Sequence, residues 1–313
     1  MSYCVRPLPF KPPHLNGLSE KLLVSHYENN YGGAVRRLNA IDAELGRLDW
    51  DKAAVFAING LKREQLIAAN SMILHEAYFD ALGGSGDPAG ALAQAMERDF
   101  GSVANWRREF IAMGKAMGGG SGWVLLTWSA RLGRLVNQWA ADHTHSLGDG
   151  AVILALDMYE HAYHMDFGTR AAAYVDAFMQ NIAWDRIGER YQRAIAGSIA
   201  RPQASPEEIT PESLRDLLSA RSDVVVLDVR LEEDLAKGSD LLPAALWRRP
   251  QEVETWSRDL PRDRPVVAYC VYGFHISRDA VTAMRAMGID ARSLSGGIAA
   301  WHAIGAATVP KPD

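Results

Sequence analysis

The segment 153–168, ILALDMYEHAYHMDFG, joins an apolar run to a dense group of charged and titratable side chains. The apolar run ends on Asp157. The residues of this kind that follow it are Glu160, His161, His164 and Asp166. Burying such groups costs free energy unless they are paired or bind a metal ion. The pattern therefore predicts either a metal site or a set of satisfied polar groups at the end of a buried segment.

Two further histidines, His26 and His75, lie among apolar neighbours in segments with helical periodicity. With Asp157 and His161 they would offer three imidazoles and one carboxylate, a donor set that suits a redox-active first-row metal. For each histidine alone, the commoner explanation is a core or surface side chain with an ordinary hydrogen-bond partner. The four-residue spacing of Asp157 and His161 also arises by chance, so the residues by themselves leave both explanations open.

A second candidate for chemistry is Cys270, which lies between the buried-strand pattern VVAY and a segment with helical periodicity. A thiol at a strand–loop–helix junction lies near backbone N–H groups and the positive end of a helix, and both favour the thiolate. The thiolate is the nucleophilic form of cysteine. A buried structural cysteine explains the position alone equally well.

The elements that must position these residues differ between the two parts of the chain. Helical periodicity covers 18–46, 63–84 and 97–119, with Ser19 as a predicted N-cap and a bend or close packing expected at the pair Gly32 and Gly33. The short apolar runs GWVLLTW, RLVNQWAA and AVILALD predict three strands, and a helical segment closes this part near residue 194.

The second part begins after a stretch rich in Pro, Ser and Gly, within which we place a linker at 197–206. Beyond the linker, ITPESLRDLL predicts a helix that starts at Thr210 and Pro211. The strand patterns VVVLDVR and PVVAYC follow, and then the helical SRDAVTAMRAMG. Alternating strands and helices predict a parallel α/β sheet over 207–313.

Length and composition restrict the class of protein. The 313 residues suffice for about two domains. A formal net charge of −5 argues against a nucleic-acid-binding protein, and no stretch approaches the roughly 18 consecutive apolar residues of a membrane span. The start has no apolar core of a secretory signal. The two cysteines, Cys4 and Cys270, are too far apart in sequence to suggest a disulfide framework, so we expect a reducing cytoplasm.

About residues 3–194 resemble the iron/manganese superoxide dismutase family. The motifs that carry the likeness are LPFKPPHLNGLSEKLLVSHYENNYGGAV (8–35), RDFGS (98–102), GSGW (120–123), DMYEHAYHMDF (157–167) and NIAWDRIGERY (181–191). The resemblance implies an α+β domain with a helical hairpin in 1–90 and a metal-binding part in 91–196, the helices packed on a three-stranded antiparallel sheet. It implies one iron or manganese ion per chain. The implied ligands are His26, His75, Asp157 and His161.

The family activity would make superoxide the substrate. One superoxide is oxidised to dioxygen and another is reduced to hydrogen peroxide, while the metal cycles between its +2 and +3 states. Family members use the glutamate at the position of Glu160 across a homodimer interface, where it bonds to the ligand histidine of the partner subunit. The resemblance therefore implies a homodimer.

The residues around the implied ligands depart from the family pattern. The usual gateway Tyr is Ala34 here, and the usual His four residues after the first ligand is Asn30. The positions expected for the metal-tuning Gln hold Gly119 and Ser71, with Asn70 a candidate substitute. Tyr159 and His164 stand where Trp and Tyr are common. The residues expected near the ligands or the dimer interface are Asn30, Trp123, Tyr159, Glu160 and His164. The departures leave the choice between iron and manganese open.

Residues 207–309 resemble a single rhodanese domain, through LDVR (227–230) and GGIAAWHAIG (296–305) on either side of Cys270. The resemblance implies that Cys270 carries a persulfide, taking sulfur from a small donor and passing it to a thiol or cyanide. Asp228 and Arg230 would hold the loop. Ser277 follows Cys270 by seven residues, where six are common, which predicts a wider loop. The residues expected to line that loop are Tyr272, Gly273, Phe274 and His275, the last either a thiol base or a solvent-facing side chain.

Three functions remain open from the sequence. The first is a homodimeric superoxide dismutase with an appended sulfurtransferase domain. The second is a non-catalytic scaffold, in which the metal serves stability or partner contact and the rhodanese-like part is a docking module. The third is a protein in which only the sulfur half reacts. The residues that motivate the second are Asn30, Ala34 and Gly119.

Overall fold

The computed structural model describes residues 2–197, 205–220 and 222–311. The chain divides into two compact units, one formed by Pro9–Arg201 and the other by Met1–Leu8 together with Pro202–Asp313. The first eight residues thus group with the C-terminal unit, whereas the sequence assigned them to the segment 1–90. Most of the predicted linker, residues 198–204, lies outside the described residues.

The first unit opens with a helical hairpin that supplies two of the predicted ligands. Helix α1 (Glu20–Ser25) continues through a π-helical turn (His26–Tyr31) into α2 (Gly32–Arg47), which packs against the long α3 (Val55–Ala81). Ser19 caps α1 as predicted, since its Oγ accepts a hydrogen bond from the Leu22 N–H. Gly32 and Gly33, where a bend or close packing was expected, form the first residues of α2, and the irregularity in the helix lies just before them, in the π turn. Such turns often occur at functional sites.

The remaining helices of this unit surround a small sheet. They are α4 (Gly90–Phe100), α5 (Val103–Ala116), α6 (His164–Phe167), α7 (Ala171–Gln180) and α8 (Trp184–Ile195). The periodicity over 97–119 predicted one helix, but the structure breaks it at Gly101. There the backbone is left-handed (φ 81°), and Ser102 caps α5 by accepting from the Asn105 N–H.

The three predicted strands form an antiparallel sheet in the order β2-β1-β3. They are β1 (Trp123–Ser129), β2 (Arg134–Ala140) and β3 (Gly150–Asp157). The register places Trp123 beside both Ala140 and Asp157. The central strand therefore brings an aromatic side chain and the loop after β2 to the carboxylate that ends β3.

The second unit contains a five-stranded parallel sheet in the order β4-β9-β8-β5-β7. Its strands are β4 (Glu208–Ile209), β5 (Val225–Asp228), β7 (Ala245–Trp247), β8 (Val266–Tyr269) and β9 (Ala291–Leu294). A separate antiparallel pair joins β6 (Asp240–Leu241) to β10 (Val309–Pro310). The predicted parallel α/β arrangement is thus observed.

The helices of this unit alternate with the strands. They are α9 (Pro211–Ser219), α10 (Glu232–Lys237), α11 (Val253–Trp256), α12 (His275–Ala286) and α13 (Gly297–Ala303). The predicted start of α9 is confirmed, because Thr210 caps it through a hydrogen bond from the Ser213 N–H. Because carboxyl ends of parallel strands meet at one edge, the loop that follows β8 with Cys270 lies at the same edge as the segments after β5 and β9.

A buried ion pair ties β5 to β8 at that edge. Arg230 donates from Nε and Nη2 to the Asp228 carboxylate at 2.9 and 2.6 Å, and Tyr269 donates its hydroxyl to the same carboxylate at 3.0 Å. Both charged side chains are almost wholly buried. A bidentate arginine–carboxylate pair with a further hydrogen bond is the geometry in which buried charges are tolerated.

Among the described residues, no helix combines the length and apolar character needed to cross a membrane.

We predict that Arg230→Met destabilises the second unit by about 3–5 kcal/mol, because it leaves the buried Asp228 carboxylate without its partner charge. Calorimetry of the full chain would measure the unfolding transition of that unit. The double variant Asp228→Leu/Arg230→Met should recover part of the loss, since no lone charge then stays buried. The exposed pair of Lys237 and Asp234 provides the control, and Lys237→Ala should cost less than about 1 kcal/mol. Equal costs for the two single variants would contradict the argument.

Candidate metal centre and candidate sulfur site

Four segments that are distant in sequence bring the predicted metal ligands together. His26 begins the π turn after α1, and His75 lies in α3. Asp157 is the last residue of β3, and His161 lies in a short 3₁₀ turn, Glu160–Ala162, directly behind it. Their ligating atoms all lie within 4.8 Å of one another.

The three imidazoles converge on one carboxylate oxygen. The distances from Nε2 to Asp157 Oδ2 are 3.1 Å for His26, 3.2 Å for His161 and 3.5 Å for His75. The side chains of His26, His75 and Asp157 are buried, whereas that of His161 is 28% exposed. Three of the four side chains are therefore shielded from solvent, and that of His161 is partly exposed.

The carboxylate of Asp157 is held in its ionised form. Burial by itself raises the pKa of Asp157, but the hydrogen bonds and electrostatic interactions with His161 and His26 bring the net pKa well below its usual range. The other oxygen, Oδ1, accepts from the Tyr159 N–H at 2.9 Å, and Tyr174 donates its hydroxyl to the Asp157 main-chain carbonyl at 2.8 Å. The only oxygen facing the histidines is thus fixed in place and negative.

The hydrogen bonding of His75 shows why these residues fit a cation. Its Nδ1 is 2.7 Å from the Ser71 carbonyl, which can only accept, so Nδ1 carries the proton. Burial and the neighbouring His26 lower the pKa of His75 to about 3, which keeps the ring neutral at physiological pH. Its Nε2 is therefore a bare lone pair, buried and without a hydrogen-bond partner among the described residues. This lone pair faces the Asp157 oxygen, an arrangement that a cation between them would stabilise.

The donor set also fits the class of metal. Three imidazole nitrogens and one carboxylate oxygen suit iron or manganese better than the all-oxygen sites of calcium or magnesium. The backbone carbonyl that orients His75 and the backbone N–H that orients Asp157 are the kind of supporting contact that metal ligands require.

A chain of aromatic contacts leads away from the cluster, and it includes a residue that the sequence reasoning missed. Trp123 donates Nε1–H to Nδ1 of His143 at 3.1 Å. The His143 ring stacks on Tyr159 with centroids 4.9 Å apart, and Tyr159 stacks on His161 at 5.4 Å. The sequence carried no signal for His143, because its place beside the cluster depends on the strand register that sets Ala140 opposite Trp123.

Tyr31 is a second residue that the sequence reasoning missed. It is buried, its ring centroid is 6.5 Å from that of His75, and its hydroxyl donates to Glu76 Oε1 at 3.1 Å. The expected gateway position, Ala34, is buried three residues further along the helix. The π turn changes how side chains are spaced around this helix, so counting residues from His26 was a poor guide to what lies near the ligands.

The other residues expected near the ligands have varied positions. Ser71 contacts a ligand through its main-chain carbonyl, and Asn70 donates to the His143 carbonyl at 2.5 Å. Asn30 is half-buried within the π turn. Gly119 has left-handed backbone (φ 80°) and open space where a Cβ would stand. Glu160 and His164 are exposed next to His161.

The second unit places Cys270 directly after β8, where it is 4% exposed. Its Sγ lies 3.3 Å from the Oγ of Ser277, which lies in the first turn of α12, beyond the loop. The loop carbonyls are held by α13: the Ile298 N–H donates to the Cys270 carbonyl at 3.0 Å. The loop is therefore a closed cradle anchored at both ends.

Close backbone approach explains one glycine of this loop. Gly273 has φ 72°, and a Cβ there would come within 2.6 Å of the Gly296 nitrogen. Tyr272 and Phe274 are half-buried, and the exposed His275 begins α12. Asp228 and Arg230 pair with each other beneath the loop edge. Tyr269 belongs to β8 as the sequence indicated, but its hydroxyl also joins that pair.

Comparison with known proteins finds a matching family for each of the two units. The model of the iron/manganese superoxide dismutase C-terminal domain matches residues 88–190, and that of the rhodanese-like domain matches 210–304. The "Superoxide dismutase [Fe]" of Cupriavidus metallidurans is 67% identical over 195 residues, which are 62% of this chain and 99% of that protein.

The names of more distant relatives include either iron or manganese. The "Superoxide dismutase [Fe]" of Aquifex pyrophilus is 33% identical, covering 59% of this chain and 89% of its own. The "Superoxide dismutase [Mn] 2" of Haloferax volcanii is 32% identical, covering 62% of this chain and 98% of its own. Since a relative at 67% identity is matched over nearly its whole length, the chain belongs to the iron/manganese superoxide dismutase family and carries a rhodanese-like domain in addition.

Proposed function

We propose that the first unit binds one iron or manganese ion through His26, His75, Asp157 and His161 and disproportionates superoxide. The observation that carries the proposal is the bare, buried Nε2 of His75, which faces a carboxylate oxygen within the cluster. The names of the relatives, iron or manganese superoxide dismutase, support the same reaction.

The bound metal would supply reversible one-electron transfer, so that two superoxide ions and two protons yield dioxygen and hydrogen peroxide. Three neutral imidazoles and one carboxylate contribute a single negative charge, which keeps the total charge of the site modest in both the +2 and +3 states. Burial of the His26, His75 and Asp157 side chains keeps water away from these ligands. The partly exposed edge of His161 is where a small anion would enter.

The side chains beside that edge hold protons. Burial raises the pKa of Tyr159 to about 12, so its hydroxyl stays protonated. Burial lowers the pKa of His143, which keeps that ring neutral. Because Nδ1 of His143 accepts from Trp123, its own proton resides on Nε2. We propose that these two residues orient the proton donors that the reduction of superoxide to hydrogen peroxide requires.

For the rhodanese-like domain we propose sulfur transfer through a Cys270 persulfide. The Cys270 thiolate would attack the outer sulfur of an anionic donor such as thiosulfate, whose S–S bond breaks to release sulfite. Cyanide or a thiol would then remove the bound sulfur and free the thiolate. The closed loop and the Ser277 hydroxyl 3.3 Å from Sγ support this role.

We also propose a homodimer in the cytoplasm. Glu160 and His164 are exposed beside the open edge of the metal cluster, where a partner subunit could cover them. Neither Cys4 nor Cys270 is in a disulfide bond, which suits a reducing compartment.

We predict that Asp157→Asn lowers metal content from close to one iron or manganese per chain to below about 0.1, since the neutral amide removes the only anionic ligand. Elemental analysis and superoxide consumption should be measured on the same preparation. His14→Ala, which alters an exposed histidine outside the cluster, should keep both. A loaded protein that consumes superoxide no faster than the free metal ion would contradict the dismutase proposal and favour a metal-stabilised scaffold.

We predict that Cys270→Ser abolishes sulfur transfer from thiosulfate to cyanide, because a serine hydroxyl cannot carry the persulfide. Mass spectrometry of the thiosulfate-treated protein should show one added sulfur in the parent and none in the variant. Cys4→Ser is the matched control and should retain the adduct. An unmodified parent would indicate a docking module instead.

We predict that light scattering coupled to gel filtration gives the mass of two chains, and that Glu160→Arg shifts the protein toward the monomer, since it reverses a charge at the proposed interface. Glu233→Arg, an exposed acid of the second unit, is the control and should leave the mass unchanged. A monomeric parent would exclude the dimer.

A further inference from the structure

The N-terminal segment 3–8, which we term the N-terminal strap, is attached to the unit that holds the sulfur site. The Val5 N–H donates to Glu212 Oε1 at 3.1 Å, although the two residues are 207 positions apart in sequence. Val5 is 4% exposed. The strap is therefore fastened to the first turn of α9 by a hydrogen bond to a carboxylate and by a buried side chain.

Further along the strap, Pro7 packs on the turn that precedes α13. A Cβ placed on Gly296 would lie 3.2 Å from the Cβ of Pro7 and 3.3 Å from its Cα. Pro7 thus lies directly against this glycine, together with Ala300, whose Cβ would be 2.5 Å from the same added atom.

The same turn holds the loop of Cys270. A Cβ on Gly273 would lie 2.6 Å from the nitrogen of Gly296, and one on Gly297 would lie 2.3 Å from the Cys270 carbonyl oxygen. The Ile298 N–H then donates to that carbonyl. The strap therefore contacts the turn, and the turn contacts the loop, at the carboxyl edge of the parallel sheet.

We propose that the N-terminal strap determines which molecules reach Cys270. By fixing the turn it keeps the loop closed around a thiol that is 4% exposed, and so admits small donors and acceptors, such as thiosulfate and cyanide, in preference to larger thiols. The expected effect on catalysis rests on the sulfur transfer proposed above. The access of a reagent to Cys270 tests the strap independently of any turnover.

The test uses the full chain with Cys4→Ser, which leaves Cys270 as its one cysteine. Two variants release the strap: Val5→Asp, which places a charge at a buried position, and deletion of residues 2–8. Each should raise the rate of Cys270 alkylation by iodoacetamide at least about fivefold, because local opening then exposes the thiol. Each should also raise sulfur transfer to glutathione relative to cyanide.

Two controls separate release of the strap from other effects. Ile289→Ala removes a buried side chain that precedes β9, outside the helix that holds the strap, and reports what loss of stability alone does to alkylation. Glu233→Gln changes an exposed acid and should leave the rate unchanged. The proposal is overturned if both release variants alkylate within about twofold of the parent, or if Ile289→Ala alkylates as fast as they do. A parent without sulfur transfer would refute the proposed activity, while the alkylation rates would still decide the role of the strap.

Discussion

The convergence of three imidazole Nε2 atoms on one oxygen of Asp157 is the constraint that organises the first unit. Each histidine comes from a different segment, so the helical hairpin, the sheet and the turn after β3 must all be in place before the cluster exists. A buried carboxylate facing a bare nitrogen lone pair is unfavourable without a cation. We therefore expect folding of the unit and metal binding to be coupled.

The second unit also buries a carboxylate, but there an arginine of the chain itself supplies the positive charge. Arg230 neutralises Asp228 beneath the loop edge, and Tyr269 completes the hydrogen bonding. Thus both units hold a buried aspartate at the end of a strand, but one is satisfied within the chain and the other is suited to a metal ion. The difference follows from the partner side chains, since an arginine already carries the charge that neutral imidazoles lack.

The N-terminal strap belongs to the second unit, although the whole first unit separates it in sequence from the rest of that unit. Pro7 packs on the turn at Gly296, and this turn contacts the loop that follows Cys270. The rhodanese-like match covers residues 210–304, so the strap lies outside it.

By itself the sequence predicted most of the elements and the four residues that cluster. Apolar periodicity predicted the strands, caps marked the starts of α1 and α9, and motif resemblance pointed to the four clustered residues. Tertiary structure alone decided several long-range contacts: Trp123 meets His143 through strand register, Tyr31 lies near His75 at the end of a π turn, and Val5 donates to Glu212 across most of the chain. Such contacts depend on register and long-range packing. Local sequence patterns encode the spacing of apolar residues and the preference for helix or strand. They leave strand register and long-range packing undetermined.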